Sequence, residues 1–186
     1  MTDYKIIIPA RYNSKRFPGK PLVKIHGKTM LERVWLNAMQ SSASDIIIAT
    51  DDQRIESVAK NFGAHVCITS NEHKSGTERI IEVIETLGFR DEEIILNVQG
   101  DEPLLSNELM DECASLLMSD EEVCIGTLAS PFREGERLDN PNLVKALVNK
   151  HGYAIYFSRA PIPWNRETFT GDSAQIEIET GYYRHV

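Results

Sequence analysis

The chain reads as an α/β protein with a predominantly parallel central sheet flanked by helices. Three observations predict it. Short β-branched runs recur, Ile6-Ile7-Ile8, Ile46-Ile47-Ile48 and Glu93-Ile94-Ile95-Leu96-Asn97-Val98. Such runs suit strands covered on both faces. Between them lie segments of ten to fourteen residues with apolar side chains at helical spacing. Alternation of this kind is the mark of a parallel sheet with crossover helices.

The elements follow in order. Residues 5–8 form the first strand and Pro9 ends it. Thr29-Met30-Leu31-Glu32 has the form of a capping box and opens a helix to about Gln40. Its face carries Met30, Leu31, Val34, Ala38 and Met39. Asp45 to Thr50 is a second strand. A helix from about Asp52 to Phe62 presents Ile55, Val58, Ala59 and Phe62, and Gly63 suits its C′ position. Ala64 to Ile68 is a third strand. Ser75 and Glu78 make a second capping box for a helix bearing Ile80, Ile81, Val83, Ile84 and Leu87, stopped by Gly88. Residues 93–98 form the next strand, 107–118 a helix and 123–129 a further strand.

The pattern changes near Ser130. Residues 131–142 read as a polar loop. Leu143–Asn149 and Tyr153–Ser158 read as a hairpin turning at Lys150-His151-Gly152. The aromatic ending from Gly181 to Val186 reads as lacking a closing element. The chain is expected to be one domain, residues 1–186, with an α/β part (1–130) and a second part (131–186). A chain of 186 residues can bury a sizeable core.

Composition excludes several classes. With 41% hydrophobic and 26% charged residues the chain resembles an ordinary globular protein. No apolar run reaches membrane-spanning length and no signal peptide is evident, so the cytoplasm is expected. The net charge of −8 argues against nucleic acid. Cys67, Cys113 and Cys124 are odd in number and widely spaced, so they read as small core side chains rather than a disulfide framework or zinc site.

Against that acidic background, residues 10–20 hold Arg11, Lys15, Arg16 and Lys20 and no acid. A positive loop at the C-terminal end of a first strand is where an open α/β sheet would hold a polyphosphate. A solvated loop is the plainer alternative. It is not a Walker A loop: Ser14 and Pro21 stand where that pattern needs Gly and Ser/Thr. The second signal is Gln99-Gly100-Asp101-Glu102-Pro103. A carboxylate after a buried strand can hold Mg²⁺ against substrate phosphates, and Gly100 would allow close backbone approach.

Residues 7–22 resemble the nucleotide-binding signature of sugar nucleotidyltransferases. Four further segments narrow the resemblance: His73-Lys74-Ser75-Gly76-Thr77-Glu78-Arg79, Asn97 to Pro103, Tyr156 to Trp164, and Tyr183-Arg184-His185-Val186. In this order they resemble the 3-deoxy-manno-octulosonate (Kdo) cytidylyltransferases, from residue 4 to the last.

The resemblance implies a Rossmann-like nucleotidyltransferase fold with a hairpin-containing dimerisation region, and a homodimer. It implies transfer of CMP from CTP to Kdo with Mg²⁺, releasing pyrophosphate, for lipopolysaccharide synthesis. Arg11 and Lys20 would neutralise the CTP phosphates, with Ala10, Ser14 and Arg16 nearby. Ser75, Gly76 and Arg79 would help form the cytidine pocket. Asp101 would hold the metal. Gln99, Arg159 and His185 would face the sugar acid, Arg159 by pairing with its carboxylate. Of the histidines, only His185 is expected at the site. His26, His65 and His151 read as structural or exposed, and Trp35 and Trp164 as packing. Family members continue past the Arg-His segment with a further strand, a helix and a second metal-binding Asp. Poor turnover by the 186-residue chain is therefore expected. Another sugar acid, an amino-Kdo or a nonulosonate, is the near alternative. A non-catalytic CTP-binding protein is the alternative from another class.

Overall fold

A computed structural model describes residues 3–13, 17–120, 122–133, 136–162 and 183–185. The expected roles of Ser14 and Arg16, and the packing of Trp164, fall outside them. The chain divides into two compact units, Met1–Gly126 and Thr127–Val186.

The first unit holds β1 (Tyr4–Ala10), β2 (Lys24–Ile25), β3 (Lys28–Thr29), α1 (Met30–Ala38), β4 (Asp45–Thr50), α2 (Gln53–Asn61), β5 (His65–Ile68), α3 (Gly76–Leu87), β6 (Ile94–Asn97) and α4 (Asn107–Ser119). Its main sheet has the order β5-β4-β1-β6, all parallel. The chain moves outward from β1 through β4 to β5, then returns through α3 to β6 on the other side of β1. This reversal is a topological switch point, and ligands of open α/β sheets bind at the strand C-termini there.

The isoleucine run explains the layering. Successive side chains on a strand point to opposite faces. Ile6 and Ile8 pack with Leu31 and Val34 of α1, Ile55 of α2 and Met110 of α4. Ile7 packs on the other face with Ile47, Cys67 and, from α3, Ile80 and Val83. All three isoleucines are fully buried. The caps hold as well. Thr29 Oγ1 accepts from Glu32 N at 3.1 Å, and Ser75 Oγ accepts from Glu78 N at 3.1 Å. Gly88 ends α3 at φ 67°, a conformation that favours glycine.

The second unit holds β7 (Ala129–Pro131), β8 (Lys145–Val148), β9 (Ala154–Ser158) and β10 (Tyr183–His185). They form an antiparallel sheet of order β7-β10-β8-β9. The hairpin of β8 and β9 matches the expectation from sequence.

Three expectations fail, and one pairing went unread. No strand spans residues 123–128; Gly126 lies against Leu116 instead, and pairing starts only at Ala129. The aromatic ending is not free: β10 pairs with β7 and β8, partners too remote in sequence to be read locally. Cys124 is exposed, whereas Cys67 and Cys113 are buried. Residues 24–28 were given no structure from sequence; β2 and β3 form a hairpin turning at His26 (φ 48°) and Gly27 (φ 82°). Two positive φ angles are the mark of a type I′ turn. His-Gly is a weak version of its usual Asn-Gly signal.

One buried hydrogen bond ties β1 to α4. Tyr4 donates to Asp111 Oδ1 at 2.6 Å, and burial together with that carboxylate pushes its phenol up to about 12. A raised folded value means full stabilisation below the unfolded value near 10, lost as pH climbs toward 12. Tyr4→Phe is expected to lower stability at neutral pH by about 1 kcal/mol. Urea unfolding across pH 9–12 checks this: the parent should lose more of its stability than the variant over that range.

Candidate active site

Where β1 and β6 end, a cleft of about 190 Å³ opens between Arg11, Lys20, Gly76, Gln99 and Asp101. Ala10 and Gly100 also line it. Each side chain is placed by the sheet. Arg11 follows the last residue of β1. Gln99 to Asp101 follow β6, with Val98 N still bonded to Ile7 O at 3.1 Å. Gly76 is the first residue of α3, so the positive end of that helix meets the cleft. A Cβ on Gly100 would come within 3.1 Å of Pro9 O, so only glycine lets the two strand ends close up without a shift.

The basic loop is closed at its base. Gly19 N donates to Tyr12 O at 2.8 Å. The Arg54 guanidinium stacks 3.3 Å from the Tyr12 ring centre, and the same guanidinium pairs with Asp52 at 2.6 Å. The short 3-10 turn Lys20–Leu22 then delivers Lys20 to the cleft.

The electrostatics favour an anion accompanied by a cation. Arg11, Lys20 and the α3 N-terminus supply positive potential. Asp101 is the carboxylate among the lining side chains, and its Oδ2 accepts from Lys20 Nζ at 2.5 Å. Both partners are partly exposed, at 34% and 46%, so the pair is worth less than about 1 kcal/mol and exchanges readily for other ligands. Among the described residues no group of three or more His, Cys, Asp or Glu is placed to hold a metal ion. Asp101 does fit one role: Mg²⁺ bound largely by phosphates and water needs only one or two protein carboxylates.

The structure brings Ala10, Arg11, Lys20, Gly76, Gln99 and Asp101 together in the first unit. Ser75 adjoins them through its carbonyl, which accepts from Arg11 Nη2. Arg79 is placed differently. It is fully buried, pairs with Asp51 at 3.1 Å and donates to the Thr69 hydroxyl. It thus joins α3 to the segments just after β4 and β5. Arg159 and His185 belong to the second unit. Arg159 Nη1 donates to Pro141 O at 2.6 Å. His185 Nε2 contacts Thr127 Oγ1 at 2.8 Å, and its ring meets Phe157 edge-on at 5.3 Å.

Sequence reading missed two supporting residues. Asp51 directly follows β4, and nothing local marks it as the partner of Arg79. Lys145 is 1% exposed, and its ammonium donates to the carbonyls of Asn140, Leu143 and Arg159. Burial pushes its pKa down. A lysine in a short strand carries no sign of that role.

The family model for cytidylyltransferases matches residues 5–185. The chain is 47% identical over 184 residues to the 3-deoxy-manno-octulosonate cytidylyltransferase of Coxiella burnetii, a match covering 99% of this chain and 74% of the relative. It belongs to the 3-deoxy-manno-octulosonate cytidylyltransferase family. The relative of that name from Pasteurella multocida is 46% identical, covering 100% of this chain and 74% of its own. A solved CMP:2-keto-3-deoxy-manno-octonic acid synthetase complexed with CTP superposes with a TM-score of 0.86 at 35% identity. That match covers 100% of this chain and 72% of the other.

Replacing Arg79 with Met removes a buried cation and leaves Asp51 unpaired. The expected loss is about 3 kcal/mol of stability. Denaturant unfolding checks it; unchanged stability would show that Arg79 is not a strut.

Proposed function

We propose that this chain transfers CMP from CTP to Kdo and releases pyrophosphate. The observation that carries the reading is the cleft at the ends of β1 and β6. It joins Arg11, Lys20 and the α3 N-terminus to one exchangeable carboxylate, in a member of a family named for this reaction.

The anomeric hydroxyl oxygen of Kdo attacks the α-phosphorus and the bond to the bridging oxygen breaks. Pyrophosphate leaves and the hydroxyl proton passes to water. The protein contributes positioning and charge stabilisation, as in other phosphoryl transfers. Arg11 and Lys20 would offset the charge gathering on the phosphates. Lys20 lets go of Asp101 when a phosphate oxygen takes its place. Asp101 would then hold Mg²⁺, which supplies Lewis-acid stabilisation of the phosphates when bound. Gly76 and Ala10 leave the cleft floor free of bulk. Ser75, with Arg79 behind it, would shape the cytidine pocket, and Ser14 and Arg16 would add to the phosphate site. Gln99, Arg159 and His185 would face the sugar acid. Arg159 needs only to trade the Pro141 carbonyl for a carboxylate, a stronger acceptor.

The reading extends to a cytoplasmic homodimer in lipopolysaccharide synthesis. No helix among the described residues is long and apolar enough to cross a membrane. Among the described residues of the second unit, β9 is an edge strand with Ile155 and Tyr156 each 61% exposed and Phe157 at 41%. An exposed apolar edge of this kind favours pairing with another chain.

Pyrophosphate release with CTP and Kdo in the presence of Mg²⁺ tests the reaction, with ATP, UTP and sialic acid as controls. Release confined to CTP and Kdo is expected. Asp101→Ala should lower kcat by about 100-fold or more while CTP still binds, as for loss of a group acting on developing charge; unchanged turnover refutes the role of Asp101. Arg159→Ala should raise the KM for Kdo more than the KM for CTP.

A further inference from the structure

Arg11 is not free in the cleft. Its Nη1 donates to Lys74 O at 3.2 Å and its Nη2 to Ser75 O. Both acceptors lie on the segment between β5 and α3, which no sheet ladder holds. Two carboxylates of α3 hold it instead. Glu82 Oε2 accepts from Ser70 N at 2.8 Å and lies 2.5 Å from His73 Nε2. Glu78 Oε2 accepts from Lys74 N at 2.6 Å and stands 3.9 Å from His73 Nδ1. Glu78 and Glu82 are one helical turn apart and share a face. The imidazole contacts both, and the half-buried ring bridges the segment to the helix.

Both carboxylates remain ionised acceptors. Glu82 is held below the usual range first by the His73 hydrogen bond and then by the Ser70 amide. Glu78 is held down first by the Lys74 amide. With Glu82 ionised, His73 donates from Nε2.

We propose that His73 is a positioning residue for CTP binding. It fastens residues 70–75 to α3, and through the Lys74 and Ser75 carbonyls it fixes the direction of the Arg11 guanidinium. It touches neither substrate. A guanidinium held by two carbonyls on a fastened segment is pre-organised for phosphate, so less freedom is lost when CTP arrives. The inference rests on the reading of the cleft as a CTP site.

The test measures CTP affinity by calorimetry, with Mg²⁺, for the parent, His73→Ala, His73→Gln, Arg11→Ala and the Arg11→Ala/His73→Ala double variant. His73→Ala is expected to weaken CTP binding roughly tenfold, the scale of one charge-assisted hydrogen bond. His73→Gln, whose amide can donate to Glu82, should recover most of it. In the Arg11→Ala background the His73 change should add less than about twofold, because the effect travels through Arg11. CTP affinity unchanged in His73→Ala overturns the proposal, and so does an equal loss in both backgrounds. If Arg11→Ala alone binds CTP as the parent does, the cleft reading falls and this inference with it. A weakened Arg11→Ala beside an unaffected His73→Ala sinks only the role of His73. Should His73→Ala fail to fold, Glu82→Ala in the same two backgrounds decides the matter by the same criteria.

Discussion

The site depends on β1 being buried on both faces. Ile6 and Ile8 anchor it to one helical layer and Ile7 to the other, and β4 and β6 bond to its two edges. A strand gripped on four sides ends at a fixed point. Arg11 therefore leaves the sheet at a fixed point too. The same ladder sets Gln99 to Asp101, because β6 is registered against β1 from Tyr4 to Ile7. The apolar core thus fixes the distance between a cation and a carboxylate that never touch it.

The polar groups divide into two kinds. Arg79, paired with Asp51, and Lys145, bonded to three carbonyls, are buried cations held by the protein itself; removing one member leaves a stranded partner, which is costly. Lys20 with Asp101 is half-exposed and cheap to part. Buried pairs hold the frame, whereas the exposed pair sits where ligands must exchange. Arg11 lies between these kinds: its backbone is fixed by the sheet, and its side chain is fastened by a segment that has its own anchors.

The first unit was largely legible. Runs such as Ile46-Ile47-Ile48, and the caps at Thr29 and Ser75, are local signals that the structure keeps. The basic loop and the Gln-Gly-Asp turn could be read because charge and glycine stand out against their surroundings. What escaped depends on remote partners. The strand at Tyr183–His185 exists because residues near 130 and 145 pair with it. Residues 123–128 look as apolar as a strand but find no edge. Arg79 was expected by resemblance to help form the cytidine pocket; its burial against Asp51 and Thr69 is a further feature that no spacing rule connects to it. The role of His73 escaped because its nearer partner, Glu82, lies nine residues on and carries no motif of its own.

The hydrogen bond from Gly19 to Tyr12 has a consequence for how this loop could vary. It pins the loop's two ends together independently of what lies between them. Lengthening a loop whose ends are already joined costs little, about 0.6 kcal/mol for each doubling. Insertions between Tyr12 and Gly19 could therefore be accommodated while Arg11 and Lys20 keep their stations.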